Sequence, residues 1–512
     1  MGMLQSAINW YLKRRMPRIR RFMEQPGEVQ SEVLRDLLMK AKHTEFGRRY
    51  DFAHLHNGEQ FAREVPLQDY DSLKGYIHRM MHGQKDLLWR GRVYNFAKSS
   101  GTTSDKSKFI PVSPENLDRN HHGGPRDTMS LYLHNNPQSK YFSGRSLMMG
   151  GSRHYYAEYP RDTFVGDVSS IMIGQMPKFI QPFVTPDIAT SLLPSWDEKM
   201  ERMAKVVPHH DVTSVGGVPT WTIVLFRRLM EVTGKDNMLE IWPNFELYIH
   251  GGVSFTPYRK QFSQFMPSPD FKYLEIYNAS EGYFATSADT HSDDMLLLLD
   301  NGIYYEFVPM DEWGQPGAKV IPLAEVELGK NYAMVISTNA GLWRYSPGDT
   351  VEFTSTAPYK IKITGRTKHF INAFGEEVVI ENTDQAIAKT CEQLDATVKE
   401  YTVAPVFFVK DGQSRGGHEW IVEFEREPES SERFAELLDR NLQRLNSDYE
   451  AKRYKDIALS RLRLHAVPIG TFHDWLKSKG KYGGQHKVPR LSNKREYVEE
   501  ILAFVGGAAP AE

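Results

Sequence analysis

Between Met295 and Gly365 the chain is built almost wholly of short β-prone runs: MLLLL, GIYYEFVP, YAMVIST, LWRY, TVEFT and YKIKITG. Branched and aromatic residues fill these runs and turn residues part them, so this stretch can fold only by pairing strands. Asp300-Asn301-Gly302 separates the first two and predicts a hairpin between them, because such a sequence accepts the backbone twist of a tight turn. Upstream the texture differs. The first hundred residues read as helices, with SEVLRDLLMKAK (31–42) showing apolar residues at helical spacing. VYNF then rises as a strand into a Ser/Thr-rich loop. Residues 115–240 alternate helical and strand-like stretches, as α/β layers do, and NFELYIHGG and YLEIYNASEG read as buried strands ending in polar turns.

A second change of texture comes at 365–370. Beyond it lies a smaller unit with its own helix (ENTDQAIAKTCEQL) and its own hairpin (VAPVFFV to EWIVEFE). Its terminal GTFHDWLKSKGKYGGQHKVPRLSN is rich in glycine and lysine and is expected to be mobile. The predicted architecture is therefore α/β, with a large N-terminal domain over 1–366 that includes a β-barrel-like part. A small α/β C-terminal domain follows over 367–512.

Composition narrows the function classes. Sixty-three basic and 65 acidic residues leave a net charge of −2, without the strongly basic footprint of a nucleic-acid binder. A single cysteine, Cys391, excludes an intramolecular disulfide and a cysteine metal cluster, and a reducing, cytoplasmic setting is the default expectation. No apolar run approaches the ~20 residues needed to span a bilayer. The N-terminal MGMLQS and the basic stretch from Lys13 to Arg21 admit a membrane-surface anchor. An amphipathic first helix with Ile8, Trp10, Tyr11 and Leu12 packed on the body is the preferred reading. His121-His122 and His209-His210 are adjacent pairs, which cannot face one ion in the i, i+4 manner of a helical metal site.

Five stretches carry chemical content. The first, FAKSSGTTSDKSKFIPVS, follows a strand with Ser99, Ser100, Gly101, Thr102, Thr103 and Ser104, then Lys106 and Lys108. Free N–H groups and hydroxyls in such a loop can wrap an anion, although the second glycine of the familiar phosphate loop is missing. In YNASEG (277–282) an acid at a strand end could take Mg²⁺, which favours one or two carboxylates plus substrate phosphates. A strand-capping Glu paired with a lysine is the plain alternative. Upstream of it, and outside the five, HGGVSFTP (250–257) gives a weaker signal, a glycine pair that could approach a flat ring or simply turn the chain. In WRYSPGDT (343–350), Asp349 follows Pro347-Gly348 and could chelate ribose hydroxyls or satisfy its own turn. The remaining two are ITGRTKHFINAFGEEV at the domain boundary and GQHKVPR near the C-terminus.

In this order the motifs resemble those of the adenylate-forming superfamily of acyl ligases, adenylation domains and luciferases. SSGTTSDKSKFIP, YNASEG, RYSPGD, FINAFGEE and IWPNFELYIHGG further resemble the auxin-responsive Gretchen Hagen 3 acyl-acid amido synthetases and their bacterial relatives, over roughly residues 1–500. The resemblance implies the adenylate-forming enzyme fold, with a mobile C-terminal domain, and ATP and Mg²⁺ as cofactors. It implies that Ser99, Ser100, Gly101, Thr102 and Thr103 contact ATP phosphates, with Tyr277 on adenine, Ser280 near the α-phosphate and Glu281 on Mg²⁺. Asp349 would hold the ribose and Arg366 would lie near the nucleotide. Lys368 would be the hinge and Lys487 the catalytic lysine. Ser104 departs from the superfamily, which has a further glycine there, and the Lys106–Lys108 spacing differs from its Pro-Lys ending.

The implied reaction activates a small carboxylic acid as acyl-adenylate and passes it to an amino acid, releasing AMP and pyrophosphate. An acyl-CoA ligase shares the first step and is the nearest alternative. A non-catalytic nucleotide-binding interaction protein is a second alternative, against which all five motifs keep their polar residues. The acyl pocket is expected between the helix after the phosphate loop (Asp127 to His134) and the strands ending at Ser170 and Gly252.

Overall fold

A computed structural model describes residues 8, 10–99, 108–151, 153–154, 156–252, 255–290, 292–367, 370–371, 378–406, 417–446, 449–450, 453, 459–480, 488–492 and 495–506. They fall into two units. One comprises the described residues up to 252 together with Ser263–Lys362; the other comprises 255–262 and the described residues from Ile363 onward.

The first unit starts with a helical stripe of Ile8, Leu12, Met16, Ile19 and Phe22, all buried. Trp10 and Tyr11 do not join it, being 59% and 50% exposed. At 100° per residue Trp10 lies about half a turn from Ile8 and cannot share its face. Instead the Arg14 guanidinium stacks 4.4 Å from the Trp10 ring. Buried Arg15 fastens this helix to the body, its guanidinium donating to both carboxylate oxygens of Asp127 at 2.6 and 2.9 Å and to Asp300 at 2.8 Å.

The strands, in chain order, are β1 (Asn95–Ser99), β2 (Lys108–Val112), β3 (Arg145–Met148), β4 (Arg153–His154), β5 (Phe164–Gly166), β6 (Val184–Thr185), β7 (Val212–Gly217), β8 (Leu247–Gly251), β9 (Lys272–Ala279) and β10 (Gly282–Ser287). They continue with β11 (Met295–Leu297), β12 (Ile303–Pro309), β13 (Ile321–Pro322), β14 (Asn331–Thr338), β15 (Asp349–Thr356) and β16 (Tyr359–Arg366). Twelve of them form one sheet in the order β13-β12-β14-β15-β16-β11-β10-β9-β8-β7-β3-β6. Its half from β6 to β9 is parallel. The strands anticipated as a barrel-like part supply its antiparallel half. A smaller sheet, β2-β1-β5-β4, carries the phosphate-loop hairpin.

The expected hairpin about Asp300-Asn301-Gly302 does not form. β11 pairs with β10 and β16, whereas β12 pairs with β13 and β14. Both edges of β11 are taken by other strands, so the turn joins two strands that are not neighbours. Its polar residues serve tertiary contacts instead: Asp300 accepts from Arg15, and Asn301 Nδ2 donates to Tyr283 O at 2.8 Å. Gly302 has φ +87°, and a Cβ there would meet the Asn339 carboxamide at 2.3 Å.

In the second unit, β17 (Phe370–Ile371) and β18 (Val378–Val379) form a short ladder. β19 (Thr397–Val406) and β20 (Gly417–Arg426) form the expected antiparallel pair, and β21 (Arg463–Val467) joins β20 in parallel. Helices Ile380–Leu394 and Ser431–Leu445 pack on this sheet around Trp420, Phe424, Phe434 and Leu438. The terminal stretch expected to be mobile is in part built into this unit. Helix Thr471–Ser478 buries Phe472 and Trp475, and Leu491 bridges to Val403. Burial of these few apolar side chains outweighs the glycine and lysine content around them.

Candidate active site

Of the parallel strands, β3, β7, β8 and β9 end on one edge, at Met148, Gly217, Gly251 and Ala279. In open α/β sheets the carboxyl edge is where ligands bind. At β9 the chain turns through Ser280 and Glu281 into β10, and the sheet changes from parallel to antiparallel. YNASEG therefore occupies the point where sheet direction switches. Ser280 and Glu281 are both buried. A Cβ on Gly282 would sit 2.7 Å from Ile303 Cδ1 and 3.2 Å from Asn120 Oδ1, so any side chain there would displace both neighbours.

Asn120 ties this turn to the phosphate-loop hairpin. Its Oδ1 accepts from Tyr283 N–H at 2.7 Å, and its Nδ2 donates to Tyr283 O at 3.1 Å. Asn120 belongs to the helical segment that leaves β2, so the loop's exit is fixed two residues beyond Glu281. A few residues further on, Gly124 lies under the Tyr283 ring, which a Cβ would approach to 2.2 Å. The Tyr283 hydroxyl also bonds Thr128 Oγ1 at 2.6 Å. Replacing Gly124 by Ala should cost about 1–3 kcal/mol through overpacking. Combining it with Tyr283→Ala should cost less than the sum of the single changes, measured by thermal denaturation.

β1 and β2 pair antiparallel with Ser99 opposite Lys108. Ser100, Gly101, Thr102, Thr103 and Lys106 lie outside the described residues. Lys108 stands at the hairpin stem with its ammonium 5.9 Å from the Tyr70 ring. Lys98, which sequence reasoning passed over, holds the same distance from Tyr156. Both cations are half-buried at the mouth of the loop.

Tyr277 and Asp349, 72 positions apart, meet directly: the Tyr277 hydroxyl donates to Asp349 Oδ2 at 2.6 Å. WRYSPGDT explains how Asp349 is placed. Trp343 Nε1 donates to Leu88 O at 2.9 Å, and Tyr345 bridges to Ile336. Arg344 is not a ligand-facing cation. Its buried guanidinium bonds Glu306 at 2.9 Å and the Ala62 and Val65 carbonyls at 2.7 and 2.6 Å. Gly348, with φ +88°, then delivers Asp349 to the first position of β15.

Of the other predicted residues, Arg366 ends β16 and is grouped with the second unit. Lys368 and Lys487 lie outside the described residues. The glycine pair after β8 has backbone reasons of its own. A Cβ on Gly251 would meet Ile276 O at 2.4 Å, and Gly252 takes φ +79°. The residues sequence reasoning missed are Asn120, Gly124 and Lys98. Asn120 and Gly124 have no signature in sequence because their partner, Tyr283, is some 160 positions away.

Comparison with known proteins places this geometry in context. Family models described as the GH3 family N-terminal, central and C-terminal domains match residues 15–271, 296–366 and 381–496. An Arabidopsis thaliana protein described as indole-3-acetic acid-amido synthetase GH3.3 is 25% identical, the match covering 90% of this chain and 89% of that protein. The Arabidopsis 4-substituted benzoates-glutamate ligase GH3.12 is 22% identical, covering 93% and 95%. Among solved structures, the GH3.15 acyl acid amido synthetase superposes with a TM-score of 0.78 at 17% identity, covering 96% of each chain. A 2-hydroxyisobutyryl-CoA ligase in its postadenylation state superposes with a TM-score of 0.61 at 12% identity, covering 94% and 92%. The fold is that of the adenylate-forming enzymes.

Proposed function

The chain belongs to the GH3 family, and from that premise we propose that it is an ATP-dependent acyl-acid amido synthetase. It activates a carboxylic acid as the acyl-adenylate and transfers the acyl group to an amino acid. The observation that carries this reading is the Tyr277–Asp349 hydrogen bond at the carboxyl edge of the parallel strands. That edge also holds the Ser280–Glu281 turn, and Asn120 fastens the turn to the exit of the phosphate loop. This arrangement supports a reading in which nucleoside, α-phosphate and polyphosphate are held in the order that ATP requires.

A carboxylate is a poor electrophile, because its charge is delocalised and its oxygen leaves badly. Attack of the acid on the α-phosphate releases pyrophosphate and gives the carbonyl AMP as a good leaving group. The amine of the amino acid then attacks that carbonyl, and AMP departs. Asp349, held by the Tyr277 hydroxyl, takes the ribose hydroxyls, and Tyr277 lies at the adenine. Ser99 with Ser100, Gly101, Thr102 and Thr103 wraps the β- and γ-phosphates, with Lys108 at the stem of that hairpin. Ser280 lies near the α-phosphate. Arg366 contributes charge near the nucleotide. The C-terminal domain, over 367–512, contributes Lys487 to the charge that develops at phosphorus, and Lys368 is assigned as its hinge. Magnesium favours one or two carboxylates plus substrate phosphates, and the buried carboxylate of Glu281 in the β9–β10 turn would hold the ion, which when bound would neutralise phosphate charge.

Acyl-acid-dependent exchange of labelled pyrophosphate into ATP tests the first half-reaction. AMP release with a panel of amino acids, against release with CoA, tests the second. A CoA ligase shares the fold, so turnover with CoA and none with any amino acid would replace the amide reading by a thioester one.

A further inference from the structure

We infer that Lys199 is a positioning residue of the acid-activating step, its buried side chain holding the carboxyl end of β3 against the segment that leaves β5 and so keeping the acyl side of the site in register with the phosphate loop. This role rests on the amido-synthetase reading, to which it adds a residue that none of the five motifs contains.

Lys199 lies on the helix Trp196–Val206, where its charged neighbours Glu198, Glu201, Arg202 and Lys205 are exposed. Lys199 is instead buried, on the face it shares with Met203 one turn further on. Its ammonium donates to Gly150 O at 2.7 Å and to Gly151 O at 3.1 Å. A methionine would fill this stripe without the cost of burying a charge, so packing alone does not call for a lysine here.

The two glycines it holds bridge the two sheets. They follow β3, which ends at Met148 on the same edge as β8, where the acyl pocket is expected. Gly151 N–H donates to Ser169 Oγ at 2.9 Å, and a Cβ on Gly151 would overlap the Asp167 carboxylate. A Cβ on Gly150 would sit 2.7 Å from Ile173 Cδ1. Asp167, Ser169 and Ile173 all belong to the segment that leaves β5 and forms the helix Val168–Gly174. β5 runs parallel to β1 with Gly166 level with Ala97. The segment therefore departs beside the point where β1 enters the phosphate loop.

Attack of the acid on the α-phosphate needs both sides of the site at a fixed spacing, and an error of about 1 Å can cost about 10²-fold in rate. Burial lowers the Lys199 pKa to about 8, with the Asp167 carboxylate acting in the opposite direction. On the helices packed beside it, Asp187 caps its own helix at Thr190, Arg228 pairs with Glu201 and Glu231, and Arg227 is half-buried. On its own helix Arg202 pairs with Glu198, and Lys205 and the following His209 are exposed. As pH rises through the Lys199 value the ammonium loses its proton, and its bonds to the two carbonyls lose their charge assistance.

The test follows labelled pyrophosphate exchange from about pH 6 to 10 with benzoate, indole-3-acetate and a panel of aliphatic acids. In wild type, kcat should fall above about pH 8. Lys199→Arg, which keeps its charge, should hold its own rate through that range. Lys199→Met should lose about tenfold or more in kcat, with KM for ATP and for acid within about twofold and no alkaline fall. Amide hydrogen exchange of the full chain should show the same variant losing protection over both 145–151 and 164–170. A wild-type kcat level to pH 10, or the same alkaline fall in Lys199→Arg, would overturn the role while leaving the amido-synthetase reading intact. Protection lost over 145–151 alone would overturn it too, because Lys199 would then not join the two segments. A lowered melting temperature in Lys199→Met with kcat and pH profile unchanged would assign the residue to packing. If that variant fails to fold, the wild-type and Lys199→Arg profiles still decide. No exchange with any acid of the panel would defeat the amido-synthetase reading and this role with it.

Discussion

Glu281→Gln should abolish most acid-dependent pyrophosphate exchange while leaving the first unit folded. The side chain is buried in the β9–β10 turn, and the substitution keeps its shape while removing its charge. Electrostatic groups aimed at developing charge are usually the largest catalytic contribution, and losing one costs about 10²–10³ in rate. Lys487→Ala should lose a comparable factor, as expected of the positive charge assigned to it. The measurement is exchange at saturating ATP and acid, with melting temperature as the control for folding. Exchange retained within about threefold by either variant would falsify the role assigned to that residue.

The second large effect falls on stability. Arg490 is buried, and its guanidinium donates to Asp384 Oδ1 at 2.6 Å and to the Tyr258 hydroxyl at 2.8 Å. It lies 3.8 Å from Glu400 and 5.1 Å from the centre of the Tyr401 ring. Around it, Thr402 Oγ1 donates to Pro489 O at 2.6 Å, and Val403 N–H to Arg490 O at 2.8 Å. Arg490→Met removes the cation and leaves buried acids behind, which costs about 3–5 kcal/mol when one partner of a buried pair is deleted. Hydrogen exchange of the full chain should show amide protection falling in β19 and β20. Adding Asp384→Asn should restore part of it, because the stranded charge then disappears.

This deficit has a predictable pH dependence. The Glu400 carboxyl is raised above 4.5, first by burial, with Arg490 acting to lower it. Without Arg490 that opposing pull is gone and the carboxyl rises further. A folded pKa raised above the unfolded value means that the folded state binds more protons between the two. The associated stability is therefore present at low pH and is lost as pH rises through the folded value. The difference between wild type and Arg490→Met should narrow as pH falls from 7 toward 5. A gap that widens on acidification would remove Glu400 from this account.

The first helix shows how far local pattern carries. Its apolar stripe is visible in the spacing of Ile8, Leu12, Met16, Ile19 and Phe22, yet the equally apolar Trp10 and Tyr11 beside it face outward. Hydrophobicity names candidates for burial, and only the 100° step decides which of them share a face. The Asp300-Asn301-Gly302 turn makes the same point for sheets. Its residues favour a hairpin, but pairing depends on which strand edges are free, and both edges of β11 are taken.

Sequence alone determined the order of strands and helices, the chemical character of the five motifs and the change of texture near Gly365. Those properties are local, set by periodicity, turn residues and the donor and acceptor types in a short window. Tertiary structure decided which motifs meet. It set Tyr277 against Asp349, bound the phosphate-loop exit to the Glu281 turn through Asn120, and committed Arg344 to Glu306 instead of a ligand. Each of these joins residues 38 to 163 positions apart. A short sequence window cannot weigh such contacts, because their energies depend on what the rest of the chain has already placed beside them.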